Sequence, residues 1–255
     1  MADTQTAVRV SCSGGVRTIA LDRPPLNVLD IAMIRGLTSA FEEAGRDRST
    51  RVVVLRAVGR AFSAGVEVGD HTPEKAPEMI EAFGAMFEAM SAASAPTVAV
   101  VEGAALGGGA ELALFCDMIL AGPKATFGVP EITLGFFPPI AAAVLPRRMP
   151  RAVAMEMMLT GDRIDARRAY EVGLVNAVLP ETDAQEAIAA FVGRVARGSA
   201  AVLRLAVRAV DETEGTVQAM RRANRIFLDD LMATEDVREG LASFFEKRKP
   251  AWKDR

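Results

Sequence analysis

The sequence predicts an α/β fold followed by an all-helical C-terminal region. Two observations predict the α/β part: apolar, β-branched runs such as "RVVVL" (51–55) and "TVAVV" (97–101), and intervening segments whose apolar residues recur at helical spacing. A third observation predicts the rest, because no strand pattern occurs after about Ser199. The 255 residues, half of them hydrophobic, suffice for one large domain or a domain with an appendage.

The first elements along the chain are a hairpin and an amphipathic helix. Val8 and Val10 alternate with polar residues, "SGG" predicts a turn, and "VRTIAL" predicts the returning strand. The segment "DRPPLN" ends the hairpin, and Asp30 is a plausible N-cap for the helix that follows. The apolar residues of this helix are spaced for one face: Ile31, Ile34, Leu37 and Phe41.

Strands and helices then alternate until the helical C-terminal region begins. A helix between the strands at 51–55 and 97–101 carries a stripe that is most simply core packing: Met79, Ile80, Phe83, Met86, Phe87 and Met90. The C-terminal region carries two apolar helix faces: Leu203, Val207 and Val210, and Ile226, Phe227 and Leu231. Such faces need another surface to cover them, so we expect this region to dock on the core or on a second subunit.

Composition excludes several classes of partner. A net charge of -3 and a pI near 5.5 provide no basic surface for nucleic acid. The most apolar segment, 97–122, is interrupted by Glu102, Glu111 and Asp117, whereas a membrane span needs about 20 nearly uncharged residues. Cys12 and Cys116 are far apart, which favours a reduced compartment, and the N-terminus has no signal pattern. We expect a cytoplasmic protein without nucleic-acid or membrane partners.

Several chemistries lack the residues they require. His71 is the only histidine, and with two distant cysteines no zinc site of ordinary spacing can be written, so we expect no metal. No phosphate-binding loop is present, and Leu112 stands where a dinucleotide fingerprint needs its last glycine. "AFSAG" is one residue from a nucleophile elbow, so a Ser63–His71 pair is a minor alternative to Ser63 as a turn residue.

The strongest functional signal is "LGGGAELALFCD", residues 106–117. Glycines between a strand and a helix let the backbone approach a ligand and direct free N–H groups at an anionic oxygen, although they could also merely permit tight packing. Glu111 follows within one helical turn, in a stretch without Lys or Arg. A buried, unpaired carboxylate is costly and usually takes up a proton.

A second acid in an apolar segment is Glu131, in "FGVPEITLGFF". Two carboxyl groups in apolar surroundings are expected to differ in proton affinity, which lets one site supply both an acid and a base. The alternative is that either glutamate pairs with an arginine supplied by the fold, for example Arg147 or Arg148.

Four segments together resemble the crotonase superfamily, the enoyl-CoA hydratase and isomerase family: "AFSAGVEV", "VEGAALGGGAELALFCDMILAG", "ATFGVPEITLG" and "LTGDRIDARRAYEVGLVNAVLP". The resemblance runs from "LDRPPLNVLD" to "FFEKRKP" and covers nearly the whole chain. It implies a ββα spiral core over residues 1–198 and a helical trimerisation region over residues 199–255. It also implies a homotrimer or a homohexamer, built as a dimer of trimers.

The resemblance further implies an acyl-CoA thioester as substrate, with coenzyme A as part of the substrate and no separate cofactor. The carbonyl oxygen of the thioester would lie between the backbone N–H groups of Ala64 and Gly108. Glu111 and Glu131 would be the two catalytic glutamates. The implied substrate-binding residues are Ala64, Gly65, Val66, Glu67, Gly108, Phe136 and Lys247, with Arg248 a further candidate beside Lys247 for the nucleotide end of coenzyme A.

Acids at both positions favour a hydratase, with an enoyl-CoA Δ-isomerase as the alternative enzyme and a crotonase-like RNA-binding or scaffolding subunit as the non-catalytic one. The chain departs from the family at "FFPPIAAAVLP" (136–146), where most members are glycine-rich. This segment and "GVEVGDHTPEK" resemble a subgroup that hydrates cyclohexa-1,5-diene-1-carbonyl-CoA. His71 would then lie near the acyl-CoA entrance, or remain a solvated loop residue.

Overall fold

A pair of strands precedes each of the first four long helices. The computed structural model describes residues 7–254. In chain order the elements up to the fourth helix are β1 (Val8–Ser13), β2 (Val16–Leu21), α1 (Ile31–Arg46), β3 (Val52–Ala57), β4 (Ala61–Ser63), α2 (Ala76–Ala93), β5 (Thr97–Val101), β6 (Ala104–Leu106), α3 (Gly108–Phe115), β7 (Met118–Ala121), β8 (Thr126–Gly128) and α4 (Pro139–Arg148).

The remaining described chain is mainly helical. Its elements are α5 (Arg151–Thr160), β9 (Arg163–Asp165), α6 (Ala166–Glu171), β10 (Ala177–Val178), α7 (Ala184–Ala196), α8 (Ala200–Glu214), α9 (Thr216–Arg225) and α10 (Glu235–Phe245). Short 3-10 helices occupy Val68–His71, Pro130–Leu134 and Leu231–Ala233, and a π-helix occupies Ile226–Asp230. No helix within residues 7–254 is long and apolar enough to cross a bilayer.

From β3 to β8, successive strands join two sheets in turn. One sheet has the order β1-β2-β3-β5-β7-β10, and the other has the order β4-β6-β8-β9. The pairs β3/β4, β5/β6 and β7/β8 therefore each place one strand in each sheet before the next helix begins. Most neighbours are parallel, apart from β1 with β2 and β8 with β9. This repeat confirms the predicted ββα spiral.

Both faces of the larger sheet are covered at its central strands β3 and β5, which explains their apolar runs. In β3, Val53 and Leu55 face the main core, whereas Val52 and Val54 pack with residues of α7 on the other side. The predicted stripe of α2 is buried throughout. The Asp30 side chain caps α1 by accepting a hydrogen bond from the Met33 N–H at 2.8 Å, as predicted. The expected hairpin is also present as β1 and β2.

The C-terminal helices dock on the core in part. Met220 and Phe227 are buried against it, which confirms the expected docking at these residues of α9 and the π-helix, whereas Ile226 of the predicted face is 52% exposed. In α8 the buried Arg204 donates hydrogen bonds to four backbone carbonyls at the ends of α1 and α2 and before β3: those of Ala44, Asp47, Thr50 and Ala93. Val202, Leu205 and Val210 of the same helix remain more than half exposed. The division at residues 198 and 199 remains a prediction.

Candidate active site

One cavity of about 100 Å³ brings the two predicted acids together with the glycine triplet. Its lining includes Glu111 and Glu131, and most of the residues predicted to bind substrate: Ala64, Gly65, Val66, Gly108 and Phe136. Glu67 and Lys247 lie outside this lining. The Glu67 carboxylate instead accepts a hydrogen bond from the Gly69 N–H at 3.3 Å, and Arg248 pairs with Glu239 at 3.0 Å. Contact of Glu67 or Lys247 with coenzyme A remains a prediction.

The glycine triplet is required because neighbouring side chains occupy the space where larger residues would place a Cβ. A Cβ on Gly107 would lie 2.7 Å from Oε1 of Glu131, and one on Gly108 would lie 2.5 Å from Cγ2 of Val66. A Cβ on Gly109 would lie 2.6 Å from Oγ of Ser63. Real Cβ atoms do not approach other atoms so closely. The triplet therefore permits tight packing, which was one of the two interpretations that the sequence allowed.

The amide of Ala64 is not available to a ligand. It donates to the carbonyl oxygen of Leu26 at 2.9 Å, so the prediction that Ala64 supplies an oxyanion donor is wrong. Two residues later the Val66 amide lies 3.4 Å from the Cβ position of Gly108. Within residues 7–254 neither the Val66 nor the Gly108 N–H has a hydrogen-bond acceptor. The pair of free amides at the cavity is therefore Val66 and Gly108.

Gly65 directs this turn of the chain. Its φ of +109° belongs to the region that glycine tolerates and side chains avoid. Its amide donates to the Ser63 hydroxyl at 3.2 Å, and a Cβ on Gly65 would lie 3.1 Å from the Leu106 carbonyl oxygen. Ser63 is the last residue of β4 and holds the turn at Gly65 through its hydroxyl, and within residues 7–254 it has no hydrogen bond to His71.

Glu111 is buried, with 3% of its surface exposed, and it accepts hydrogen bonds from a helix N-terminus. Its Oε1 atom receives the N–H groups of Ile140 and Ala141, both at 2.9 Å. These amides belong to the first turn of α4, whose N–H groups have no intrahelical acceptor. Burial raises the pKa of Glu111 to about 7, against the opposing effect of the two amides.

Glu131 lies in a less favourable position for a negative charge. Its Oε2 atom is buried without a hydrogen-bond partner among the described residues. Burial, and then the nearby Glu111, raise the pKa of Glu131 well above its ordinary value. The negative charge of the pair therefore belongs on Glu111, which has two amide donors, and the proton belongs on Glu131.

The arginines suggested as partners of these acids are bound elsewhere. Arg147 donates to the Glu214 carbonyl at 2.7 Å, and Arg148 donates to the carbonyls of Cys116 and Asp117. No ion pair within residues 7–254 includes Glu111 or Glu131. The alternative that an arginine pairs with either glutamate is therefore wrong. The N-terminus of α4 supplies the donors to Glu111 instead.

An aromatic wall closes the cavity on the side of the 136–146 segment. Phe136 stacks on Phe227 with ring centroids 5.8 Å apart, and Phe137 meets Phe227 edge to face at 5.7 Å. His71 meets Phe136 edge to face at 5.3 Å. All four rings line the cavity, so His71 lies in the site rather than in a solvated loop. Phe227 was not predicted to belong to the site, since its spacing in the sequence indicated only a helix face.

Comparison with known proteins agrees with this geometry. The enoyl-CoA hydratase/isomerase family model matches residues 11–255. The chain belongs to this family. It is 35% identical over 244 residues to cyclohexa-1,5-dienecarbonyl-CoA hydratase of Thauera aromatica, covering 95% of this chain and 94% of that protein. It is 34% identical over 250 residues to 2,3-dehydroadipyl-CoA hydratase of Escherichia coli, covering 96% and 98%.

A solved structure shows the same fold at full length. The carnitinyl-CoA hydratase of Mycobacterium avium superposes with a TM-score of 0.85 at 32% identity, covering 99% of this chain and 100% of that one. The crotonase fold predicted from the sequence is therefore confirmed, and the relatives' names identify the chain as an enzyme of the hydro-lyase type.

Proposed function

We propose that the protein adds water to an α,β-unsaturated acyl-CoA thioester through an enolate intermediate. The observation that carries this proposal is one cavity in which two unpartnered amides, of Val66 and Gly108, lie with two glutamates: Glu111, which is buried, and Glu131, whose Oε2 atom is buried. Carbonyl polarisation and proton transfer are the two requirements of such a hydration, and each pair of groups meets one of them.

The two amides would hold the thioester oxygen. As water attacks the β-carbon, electrons of the carbon–carbon double bond move toward the carbonyl, and negative charge accumulates on that oxygen. Fixed N–H donors stabilise this charge without reorganising, and one such donor is typically worth about 2.7–4 kcal/mol. Val66 replaces Ala64 in this role because its N–H is free.

The two glutamates would divide the proton transfers. Ionised Glu111, held by the Ile140 and Ala141 amides, takes a proton from water as the oxygen bonds to the β-carbon. Protonated Glu131 delivers its proton to the α-carbon as the enolate returns to a thioester. The cycle closes when a proton leaves Glu111 and another reaches Glu131, so that water is the only reactant consumed.

A cyclic, conjugated acyl group suits the cavity better than a long flexible chain. Phe136, Phe137 and Phe227 provide flat apolar faces. Pro138 and Pro139 make the start of α4 rigid, at the position where the resemblance predicts a glycine-rich, flexible segment in most family members. The Thauera aromatica relative is named for a cyclohexadiene thioester. We therefore propose cyclohexa-1,5-dienecarbonyl-CoA as the preferred substrate and straight-chain enoyl-CoA as the alternative.

The test is side-by-side turnover of crotonyl-CoA and cyclohexa-1,5-dienecarbonyl-CoA. We expect products that have gained one water, with a higher kcat/KM for the cyclic thioester. Glu111→Gln and Glu131→Gln should each lose turnover, whereas Glu181→Gln, an exposed glutamate, should match the wild type. A product of unchanged mass with a shifted double bond would instead show an isomerase. Preference for crotonyl-CoA would refute the cyclic substrate alone, and tight, salt-sensitive RNA binding without turnover would indicate the non-catalytic alternative.

The assembly proposed for this function is a homotrimer or a homohexamer. Its support is the apolar surface left on α8, where Val202 is 64% and Leu205 is 58% exposed. Light scattering of the purified protein tests it, and a monomer at micromolar concentration would contradict it. A cytoplasmic location and the absence of a separate cofactor remain predictions of the sequence.

A further inference from the structure

His71 is the third polar side chain in a cavity that is otherwise apolar. Apart from His71, Glu111 and Glu131, the residues of the described lining have apolar side chains or are glycines. The two glutamates have proton-transfer roles in the proposed function, on which this inference rests. His71 has none, yet the wall places its ring beside Phe136.

The protein fixes which nitrogen of His71 carries the hydrogen. Nδ1 lies 3.1 Å from the carbonyl oxygen of Glu67, and because a carbonyl only accepts hydrogen bonds, Nδ1 is the donor. In the neutral ring Nε2 is then a bare acceptor. Burial lowers the pKa of His71, against the opposing effects of the Glu67 carbonyl and of the Asp70 and Glu67 carboxylates, so the neutral ring is favoured.

Nε2 is the part of His71 that remains for a ligand. It has no hydrogen-bond partner within residues 7–254, and it is not among the side-chain polar atoms sealed from solvent. Solvent can donate to Nε2 while the cavity is open, but an acyl group that displaces the solvent leaves this acceptor unpaired unless it brings a donor of its own. The enoyl substrate has no donor on its acyl group, whereas hydration creates one, the hydroxyl of the product.

We propose that His71 is a specificity-determining residue that distinguishes hydroxyacyl-CoA from enoyl-CoA by accepting a hydrogen bond from the acyl hydroxyl at Nε2. Phe136 and the Glu67 carbonyl hold the ring in the required orientation. His71 thus contacts the hydroxyacyl-CoA, which is the product of hydration and the substrate when the reaction runs toward dehydration.

The experiment compares two inhibitors of the hydration reaction that share one carbon skeleton: the hydroxyacyl-CoA product and the saturated acyl-CoA that lacks the hydroxyl. In His71→Phe the inhibition constant of the hydroxyacyl-CoA should rise about five- to tenfold, the loss expected for one neutral hydrogen bond, and that of the saturated acyl-CoA should stay within about twofold. His71→Gln, whose amide oxygen can accept, should recover part of the difference.

Each outcome decides the inference separately from the proposed function. If the wild type hydrates the substrate but both inhibition constants rise together in His71→Phe, His71 only shapes the cavity and the inference is wrong. It is equally wrong if neither constant changes, or if His71→Gln behaves like His71→Phe. If the wild type hydrates no enoyl-CoA, the proposed function itself fails.

Discussion

Replacing Glu111 with glutamine tests the proposed catalytic base and the stability of the fold in one variant. Glutamine has nearly the same shape, and its amide oxygen can still accept the Ile140 and Ala141 N–H groups that bind Oε1. It can neither take up a proton nor carry a charge. We expect turnover to fall by about 10²- to 10⁴-fold, the usual contribution of a positioned acid or base.

The effect on stability follows from the pKa of this carboxyl group. Burial raises it from 4.5 to about 7, which corresponds to about 3 kcal/mol at about 1.36 kcal/mol per pH unit. Below pH 4.5 the group is protonated in both the folded and the unfolded chain, so it contributes no difference. Between pH 4.5 and 7 the folded chain binds more protons, so stability falls as pH rises, and above 7 the full loss is present.

The assay is urea denaturation of both proteins at pH 5 and pH 8. Because part of the loss falls below pH 5, Glu111 should make the wild type lose about 2.5 kcal/mol more unfolding free energy between these pH values than Glu111→Gln does. Glu131 keeps a smaller pH-dependent loss in the variant, because the charge of Glu111 no longer raises its pKa. The exposed Glu181→Gln serves as the control and should follow the wild type. Equal losses in wild type and Glu111→Gln would refute the buried, proton-binding Glu111, and retained turnover would remove it from the reaction.

Three further predictions concern the amide pair, the α8 anchor and the cysteines. Gly108→Ala places a Cβ 2.5 Å from a neighbouring side chain. It should lower kcat about 10²- to 10³-fold in steady-state kinetics, which is the loss typical of one oxyanion donor. Gly193→Ala, which has open space around its Cβ, is the control and should leave kcat unchanged. Arg204→Met should lower the unfolding free energy by about 3 kcal/mol in urea, because four carbonyls lose their donor. A thiol reagent should label Cys12 within minutes and leave Cys116 unlabelled in the folded protein, since burial raises the Cys116 pKa to about 12.

Each of these predictions has a contrary result. Full activity in Gly108→Ala would show that this amide does not bind the reacting oxygen. Arg208→Met removes an exposed arginine of the same helix and is the control for Arg204→Met; equal stabilities of the two variants would contradict the anchoring role. Labelling that persists after Cys12→Ser would show that Cys116 is accessible.

The sequence predicted most of the fold because its local signals agreed. The N-cap at Asp30, the buried stripe of α2 and the apolar strands at 51–55 and 97–101 all form as expected, and each depends on residues close together in the chain. The exposed face of α8 shows the limit. Its predicted apolar face required a covering surface, and only long-range contacts could show that the core covers parts of α9 and the π-helix but leaves Val210 of the α8 face exposed.

The sequence predicted which acidic residues belong to the site, but it did not predict the hydrogen bonds that they make. Glu111 and Glu131 were located by their apolar surroundings, and both line the cavity. Their hydrogen bonds were not predictable, since the Ile140 and Ala141 amides lie about thirty residues from Glu111 in the chain. The sequence did contain one signal: Pro139 is typical of the first position of a helix, so the next amides had to be free at a helix N-terminus.

The correction from Ala64 to Val66 has a simple geometric cause. In extended backbone, successive N–H groups point to opposite sides, so a segment that bonds to a neighbour on one side presents every second amide to the other. Ala64 donates to Leu26, and Glu67 donates to Leu29, both on the side of the 26–29 segment. Gly65, with its positive φ, turns the chain between them, and the Val66 amide is left facing the glycine triplet. A motif identifies such a loop, but the hydrogen bonds of its neighbours decide which amide can bind the reacting oxygen.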